Sequence, residues 1–485
     1  MQRTLTVIHA LGLMLMVFSV SYLMPVAAAL IYADGTTIDF LLAMVWTSAI
    51  GFLMWMLTRR YKGELSIRHG YLLVVAMWTA MPAVATLPLL LVIDGLSFTD
   101  AYFETMSGMT TTGATVLIGL DYLPPAINIW RHELQWLGGM GIIVLAVAIL
   151  PLLGVGGRQL FKAETPGPMK DSALTPRITE TARNLWLVYL GITIACILSL
   201  KAVGMNWLDA VCHAFSAMST GGFSTHDASV GYFNSPAIEF VLIIFMLLAA
   251  MNFATHFLVW REKNLKLYLR DAEAVATVAL ILLSCLGIAM FLWWRNVYPS
   301  FWTALRHASF NLVSMATDSG FASVDFNQWP MFAPMWMLFL SCIAASSGST
   351  GGGIKMVRTL ILFKQAGREF RRLLHPAVVN PMKIGGSVVP NNIVFAVLGF
   401  IFLYFITAAT LTFALLISGM DFIAAFSAII ACINNAGPGL GVVGPAANYG
   451  VLTDFQTWIC TIAMLVGRLE IFTVLILFTP HFWRR

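Results

Sequence analysis

Charge is scarce in this sequence. Only 11% of its 485 residues are Asp, Glu, Lys or Arg, against roughly 25% in soluble domains. A soluble fold of this length needs far more polar surface to cover its core. Motifs of enzyme chemistry are missing too. The six cysteines, Cys196, Cys212, Cys285, Cys342, Cys432 and Cys460, form no C-x-x-C pair and lie in or beside apolar runs. They read as small core residues, not as a disulfide framework or metal site. The nine histidines are dispersed, with no H-E-x-x-H pair and no G-x-S-x-G elbow, and the pairs His226–Asp227 and Asp318–Ser319 stand isolated. Catalysis is therefore disfavoured. No G-x-G-x-x-G unit with flanking strand and helix occurs. The polar segments run to about 30 residues at most, too short for a nucleotide-binding fold.

Apolar residues fill the place of the missing charge. They make up 59% of the chain, and mean hydropathy is +0.83. The solvent for most of the chain must be lipid. Ten stretches of spanning length recur, near 7–30, 40–57, 71–93, 127–153, 185–203, 237–260, 274–294, 331–354, 392–417 and 457–478. They lack the alternation of barrel strands, so helices are expected. The first follows a single opening charge, Arg3, and is too long for a signal-peptide core.

Basic residues are placed unevenly between these spans. The N-terminus, the segments 59–69, 154–184, 261–273 and 355–386, and the C-terminus hold 23 of the 28 Lys and Arg. Ten spans put all of these on one side, which the positive-inside rule makes cytoplasmic, both termini included. Asp34, Asp39, Asp94, Asp100, Asp121, Asp209, Asp227, Asp325 and Asp454 fall on the other side. Such a face concentrates cations, or acids simply collect where basic residues are excluded.

One element occurs four times. Each copy has a spanning helix, an apolar segment too short to span, a Gly-containing polar turn, and a second span. The turns read Met109-Thr-Thr-Thr-Gly113, Met218-Ser-Thr-Gly-Gly222, Ala316-Thr-Asp-Ser-Gly320 and Ile433-Asn-Asn-Ala-Gly437. An alanine stands twelve positions before each glycine: Ala101, Ala210, Ala308 and Ala425. This is the mark of a repeated supersecondary unit. The short segments, about 98–109, 207–218, 303–315 and 421–432, are expected to be re-entrant half-helices. Asp100, Asp209 and Asp421 suit the positive end of the helix dipole in three of them.

Non-helical backbone at membrane depth survives only where it is buried or lines a water-filled cavity. A dehydrated monovalent cation needs oxygens to replace its hydration shell, and carbonyls supply them without a trapping charge. Aiming successive carbonyls at one axis requires backbone that glycine tolerates best. The candidate binding residues are therefore Thr110, Thr111, Thr112 and Gly113; Ser219, Thr220, Gly221 and Gly222; Thr317, Asp318, Ser319 and Gly320; and Asn434, Asn435, Ala436 and Gly437. Thr111, Thr112, Thr220, Gly221, Asp318, Ser319, Asn435 and Ala436 are the first choices for carbonyls on potassium. Gly and Ser/Thr also serve plain helix packing; four aligned copies favour the pore.

At these residues the chain resembles the Trk-type potassium uptake proteins, allied to the Ktr and HKT transporters. The resemblance spans about 71–485, and the two earlier spans match the extra N-terminal pair of the Trk branch. It implies an all-α polytopic membrane protein with pseudo-fourfold symmetry: a two-helix domain at 1–68, then pore units at 69–180, 181–270, 271–386 and 387–485. The filter glycines would be Gly113, Gly222, Gly320 and Gly437. A glycine at 113 implies potassium, since some relatives with serine there prefer sodium. No longer T-V-G-Y-G pattern is present.

The segment Gly348-Ser349-Thr350-Gly351-Gly352-Gly353-Ile354-Lys355 interrupts the eighth span. So many small residues and glycines do not make a stable lipid-facing helix. A phosphate-binding loop is a poor alternative, because Ile follows Gly353 and no Ser or Thr follows Lys355. The resemblance makes it an intramembrane gate, with Arg468 of the last span as a second gating residue. Arg468 could instead simply pair with Glu470 or another carboxylate. The resemblance also implies a homodimer in the bacterial inner membrane, with potassium as the only cofactor on this chain. It implies a separate cytosolic NAD- and ATP-binding ring of the TrkA type, with 154–184 and 355–386 as docking surfaces or ordinary lipid contacts. Nucleic acid is no partner. An ion-coupled secondary transporter is the alternative function, though such proteins usually carry two repeats, often inverted.

Overall fold

The computed structural model describes residues 2–61, 66–141 and 178–484. Six of its helices are long and apolar enough to cross a membrane unbroken: Thr4–Tyr32, Thr37–Thr58, Arg68–Val92, Ala182–Ala202, Ala272–Trp294 and Asn391–Ile417. Two sharply bent helix pairs, Pro236–Ala249 with Phe253–Glu262 and Asp454–Arg468 with Glu470–Phe478, are each long and apolar enough for one crossing when taken together. The helix Pro125–Gly139 lies in the fourth expected span, whose remainder falls outside the described residues. The basic segment 154–184 is described only from 178.

The four short helices lie where the repeats put them, at Phe98–Met109, Trp207–Ser219, Phe301–Ala316 and Phe422–Asn434. Each starts on a side-chain cap. Ser97, Asn206, Ser300 and Asp421 accept from a backbone N–H two or three residues on, satisfying donors that the first turn leaves free. At 1.5 Å per residue the helices are about 18–24 Å long, short of a ~30 Å hydrocarbon core. The repeat alanines Ala101, Ala210, Ala308 and Ala425 are all fully buried.

The N-terminal pair packs by close backbone approach. A Cβ on Gly12 would stand 2.7 Å from Gly51 O, and one on Gly51 2.7 Å from Gly12 O, the small-residue crossing common in membranes. Tyr22 then stacks on Trp130 at 4.4 Å, and its hydroxyl donates to Val84 O. The pair is thereby fixed to the first unit.

Two expected spans need correction, and a third is interrupted as expected. The stretches 237–260 and 457–478 are not straight; they turn by 96° and 104° at their midpoints. Asn252 caps the second half of the former by accepting from the Ala254 N–H. Glu470, with φ +50°, turns the latter. The stretch 331–354 is helical only over Phe332–Ile343, and helix resumes at Met356–Leu374. Beyond it, Lys383–Ile384 and Ser387–Val388 form a two-stranded antiparallel hairpin, a small exception to the all-helical expectation. Gly385 and Gly386 both have positive φ there, as a tight primed turn needs.

Candidate functional site

Each half-helix ends in the same backbone figure. The N–H of the residue before the glycine reaches back five positions: Thr112 to Ser107, Gly221 to Ser216, Ser319 to Ser314 and Ala436 to Ala431, each 2.8 Å. The residue two before the glycine is left-handed every time: Thr111 (φ +56°), Thr220 (+55°), Asp318 (+62°) and Asn435 (+57°). The glycine is left-handed again, with φ +82°, +77°, +74° and +84° in chain order. Left-handed threonine or aspartate is strained and needs surrounding structure to hold it. Spending the turn's N–H groups backward leaves its carbonyls pointing elsewhere.

The four turns close on one another. A Cβ on Gly113 would collide with Gly221 O, and one on Gly222 with Ser319 O. A Cβ on Gly320 would stand 2.6 Å from Ala436 O, and one on Gly437 2.6 Å from Thr112 O. Unit one meets two, two meets three, three meets four, and four returns to one. The sixteen candidate residues are thus brought together around one axis. Above them a vestibule of about 80 Å³ is lined by all four glycines and by Arg131, His226 and Asp227.

Among the described residues no N–H or O–H donates to Thr112 O, Ser319 O or Ala436 O. Gly221 O differs, since it accepts from Gln135 Nε2 at 2.5 Å. Gln135 Oε1 takes the hydroxyl of Ser216 and the Phe223 N–H. The sequence reading missed Gln135, which braces the second turn from the first unit. It missed a second brace as well. Buried Arg131 pairs with buried Glu104 at 2.8 Å; Glu104 accepts from Thr115 Oγ1 and the Val116 N–H, and Arg131 donates to Ser224 O. An intramembrane charge at 131 was the available signal.

Directly beneath the turns sits the glycine-rich loop. Thr350 Oγ1 donates to Met218 O and to Ala249 O, both at 3.2 Å. A Cβ on Gly351 would stand 3.1 Å from Asp318 Oδ2, and one on Gly352 would collide with Asn434 O. The Gly352 N–H donates to Asp318 Oδ2 at 3.0 Å. Gly348 O accepts from the Phe253 N–H, Ser349 N–H donates to Ser346 O, and Gly353 abuts Ser341 O. Lys355, buried and at φ +75°, donates to Gly351 O.

Arg468 completes this layer. Its Nη1 donates to Thr350 O at 2.8 Å and to Thr111 Oγ1 at 3.1 Å; its Nη2 donates to Gly138 O and Gly139 O. Those last carbonyls end the helix Pro125–Gly139, where the dipole is negative. Loop and arginine together touch the end of every half-helix. Glu470 pairs instead with Arg358, at 2.7 Å. Lys355 and Arg358, expected in a cytoplasmic segment, are buried here. Asp318, Arg358, Arg468 and Glu470 all lie close enough to Lys355 to interact with it electrostatically.

Residues 37–485 match the TrkH family model, described as cation transport protein. The chain is 47% identical over 474 residues to the Trk system potassium uptake protein TrkH of Salmonella typhimurium, covering 98% of each chain. To the Trk system potassium uptake protein TrkG of Escherichia coli it is 40% identical, covering 99% of this chain and 98% of that one. The crystal structure of the potassium transporter TrkH from Vibrio parahaemolyticus is similar with a TM-score of 0.89 at 44% identity, covering 99% of this chain and 100% of that one.

Proposed function

The chain belongs to the TrkH family of cation transport proteins, and from that premise we propose that it takes potassium up across the bacterial cytoplasmic membrane through the ring of four glycine turns. One observation carries the reading: the turns close cyclically, each glycine against the neighbour's carbonyl. A bare cation entering the ring would exchange water for main-chain oxygens of all four units, with no fixed charge to hold it too long. The half-helices point their negative ends toward the layer below the ring and lower the cost of a cation there. Asp121, Asp209 and Asp227 around the mouth raise its local concentration.

We read the pathway as shut in this conformation. The loop Gly348–Gly353, with Lys355, fills the space under the ring, and the Arg468 guanidinium adds a repelling charge. Opening requires the loop to leave. We assign its control to a separate nucleotide-binding ring of the TrkA type, acting on a homodimer of this chain with its termini in the cytoplasm. The helix Met356–Leu374 supports this, because it continues directly from the loop and ends with Phe370, Arg371, Arg372, Leu373 and Leu374 exposed. A partner that pulls on that end pulls on the plug.

The test is flux through the purified chain in vesicles, with potassium, rubidium, sodium and lithium in turn. Potassium and rubidium are expected to pass well ahead of sodium and lithium. Strong sodium passage with little potassium would overturn the ion assignment. A reversal potential at potassium equilibrium, insensitive to proton or sodium gradients, separates a pore from an ion-coupled transporter.

A further inference from the structure

The first half of the glycine-rich loop is held from the cytoplasmic side by residues 250–273. The Phe253 N–H donates to Gly348 O at 3.1 Å, and the Ser346 N–H donates to Ala250 O at 3.0 Å. Asn252 packs against Gly348, where a Cβ would stand 2.8 Å from its Oδ1. At the other end of the segment, Glu273 Oε2 accepts from the Ser347 N–H at 2.8 Å. Between these anchors the segment is braced on itself. Thr255 Oγ1 donates to Asp271 Oδ2 at 2.7 Å, and His256 bridges the Tyr268 hydroxyl and Leu248 O, at 2.8 Å each. Movement of 253–273 and movement of the loop are therefore mechanically linked.

The same segment carries an amphipathic surface. Trp260, Leu265 and Leu269 are 70–77% exposed. Arg261, Lys263, Lys266 and Arg270 stand exposed among them. Arg261 pairs with Glu262 at 3.5 Å; the other three cations have no carboxylate partner among the described residues. Geometry sets this surface against the bilayer. The helix Phe253–Glu262 leaves Pro236–Ala249 at 96°, so a first half that crosses the membrane lays the second along its plane. The 14 residues of the first half reach about 21 Å, which puts the turn roughly 9 Å inside the far edge of a ~30 Å core. Interfacial amphipathic helices lie at that depth, with tryptophan and leucine in the acyl boundary and lysine and arginine reaching for phosphate. A cytosolic protein would have to enter the bilayer to cover it. We propose that the surface 260–270 binds anionic phospholipid headgroups of the cytoplasmic leaflet, and that lipid held there keeps the loop seated. Lipid that fixes 253–273 in this arrangement favours the seated loop over the withdrawn one, because the ties to Gly348 and Ser347 exist only in the first.

The proposal rests on the reading of this chain as a potassium conductor with the loop as its plug. It is tested on the purified full-length protein, without any partner, by rubidium flux in vesicles of phosphatidylcholine alone or mixed with phosphatidylglycerol in both leaflets. Resting flux is expected to be at least about fivefold lower in the anionic vesicles, a coupling of ordinary size. Lys263→Gln, Lys266→Gln and Arg270→Gln combined should abolish the difference. In neutral detergent, added short-chain phosphatidylglycerol should raise the thermal unfolding midpoint of the unaltered chain and leave the combined variant unmoved. Flux that is equal in both vesicles, or higher in the anionic ones, overturns the proposal and leaves the surface to a protein partner. A lipid effect that persists in the combined variant overturns it too, since the lipid then acts elsewhere. If the combined variant does not fold, raised choline chloride decides in its place, because screening should erase the difference between vesicles. A chain that passes no rubidium in either vesicle sinks the conduction reading, and the unfolding midpoint then decides lipid binding by itself.

Discussion

In the ring, four segments of different sequence adopt one backbone; in the layer beneath, the second and fourth units' second helices bend sharply while the third's opens into a glycine-rich loop. The turns Thr111–Gly113, Thr220–Gly222, Asp318–Gly320 and Asn435–Gly437 share the same pair of left-handed residues and the same 2.8 Å bond back into the half-helix. Below them, the second unit's helix bends at 250–252, the third opens into the stretch 344–355, and the fourth turns at Glu470. On the function proposed above, symmetry is kept where four equal ligands would face one ion, and given up where a single loop would be seated and removed.

The sharpest way to break this comparison is one substitution made in both layers. Gly113→Ala and Gly222→Ala each force a Cβ into the neighbour's carbonyl and demand left-handed alanine, which alone costs roughly 1–2 kcal/mol. Rubidium flux is expected to fall about a hundredfold or more in either variant, because displacing one ligand layer by an ångström spoils the coordination. Gly352→Ala puts its Cβ into Asn434 O from below. The loop must give way there, and unstimulated flux is expected to rise. Flux lost in all three variants would mean that the lower layer is part of the ring, not a plug.

Arg468→Ala tests the same layer with a smaller effect. The guanidinium donates to oxygens of the first unit and the loop, and a hydrogen bond to a charged group contributes about 1.5–3 kcal/mol. Losing even one net bond of that size loosens the plug by roughly tenfold or more, read as leak in the resting state. Unchanged flux would leave Arg468 a purely structural clamp.

The ring was legible in the amino-acid sequence because its constraints act on the backbone. Glycine and short polar residues recur wherever φ must be positive, so all four turns and half-helices fall where the repeats place them. The loop at 348–353 was legible for the same reason. The bends at Asn252 and Glu470 were not: each lies in an apolar run that reads as a continuous span, and each is set by contacts from other units. Asn252 packs on Gly348, and Glu470 pairs with Arg358, 112 residues away. The braces Gln135–Gly221 and Glu104–Arg131 were hidden likewise, because their partners are 86 and 27 residues apart.

The outer rim also departs from fourfold symmetry, and it sharpens the comparison at the smallest scale. His226 of the second unit lies between Asp121 of the first, at 2.5 Å, and Asp209 of its own unit, at 3.4 Å, and stacks on Tyr232 at 3.5 Å. Burial alone would lower the imidazole's pKa, but the hydrogen bonds to Asp209 and Asp121 outweigh it and raise the pKa above its usual range. A raised folded value means that the stabilisation is full below the unfolded pKa of about 6.5 and fades as pH rises through the folded one. His226→Gln should therefore lower the unfolding midpoint on the acid side, by on the order of 1 °C for a partly exposed group in a chain this long. The difference should vanish at alkaline pH, with rubidium selectivity unchanged throughout. A selectivity change confined to acid pH would instead show that the rim clamp reaches the ring, and that the boundary between the symmetric and asymmetric layers lies deeper than the glycines.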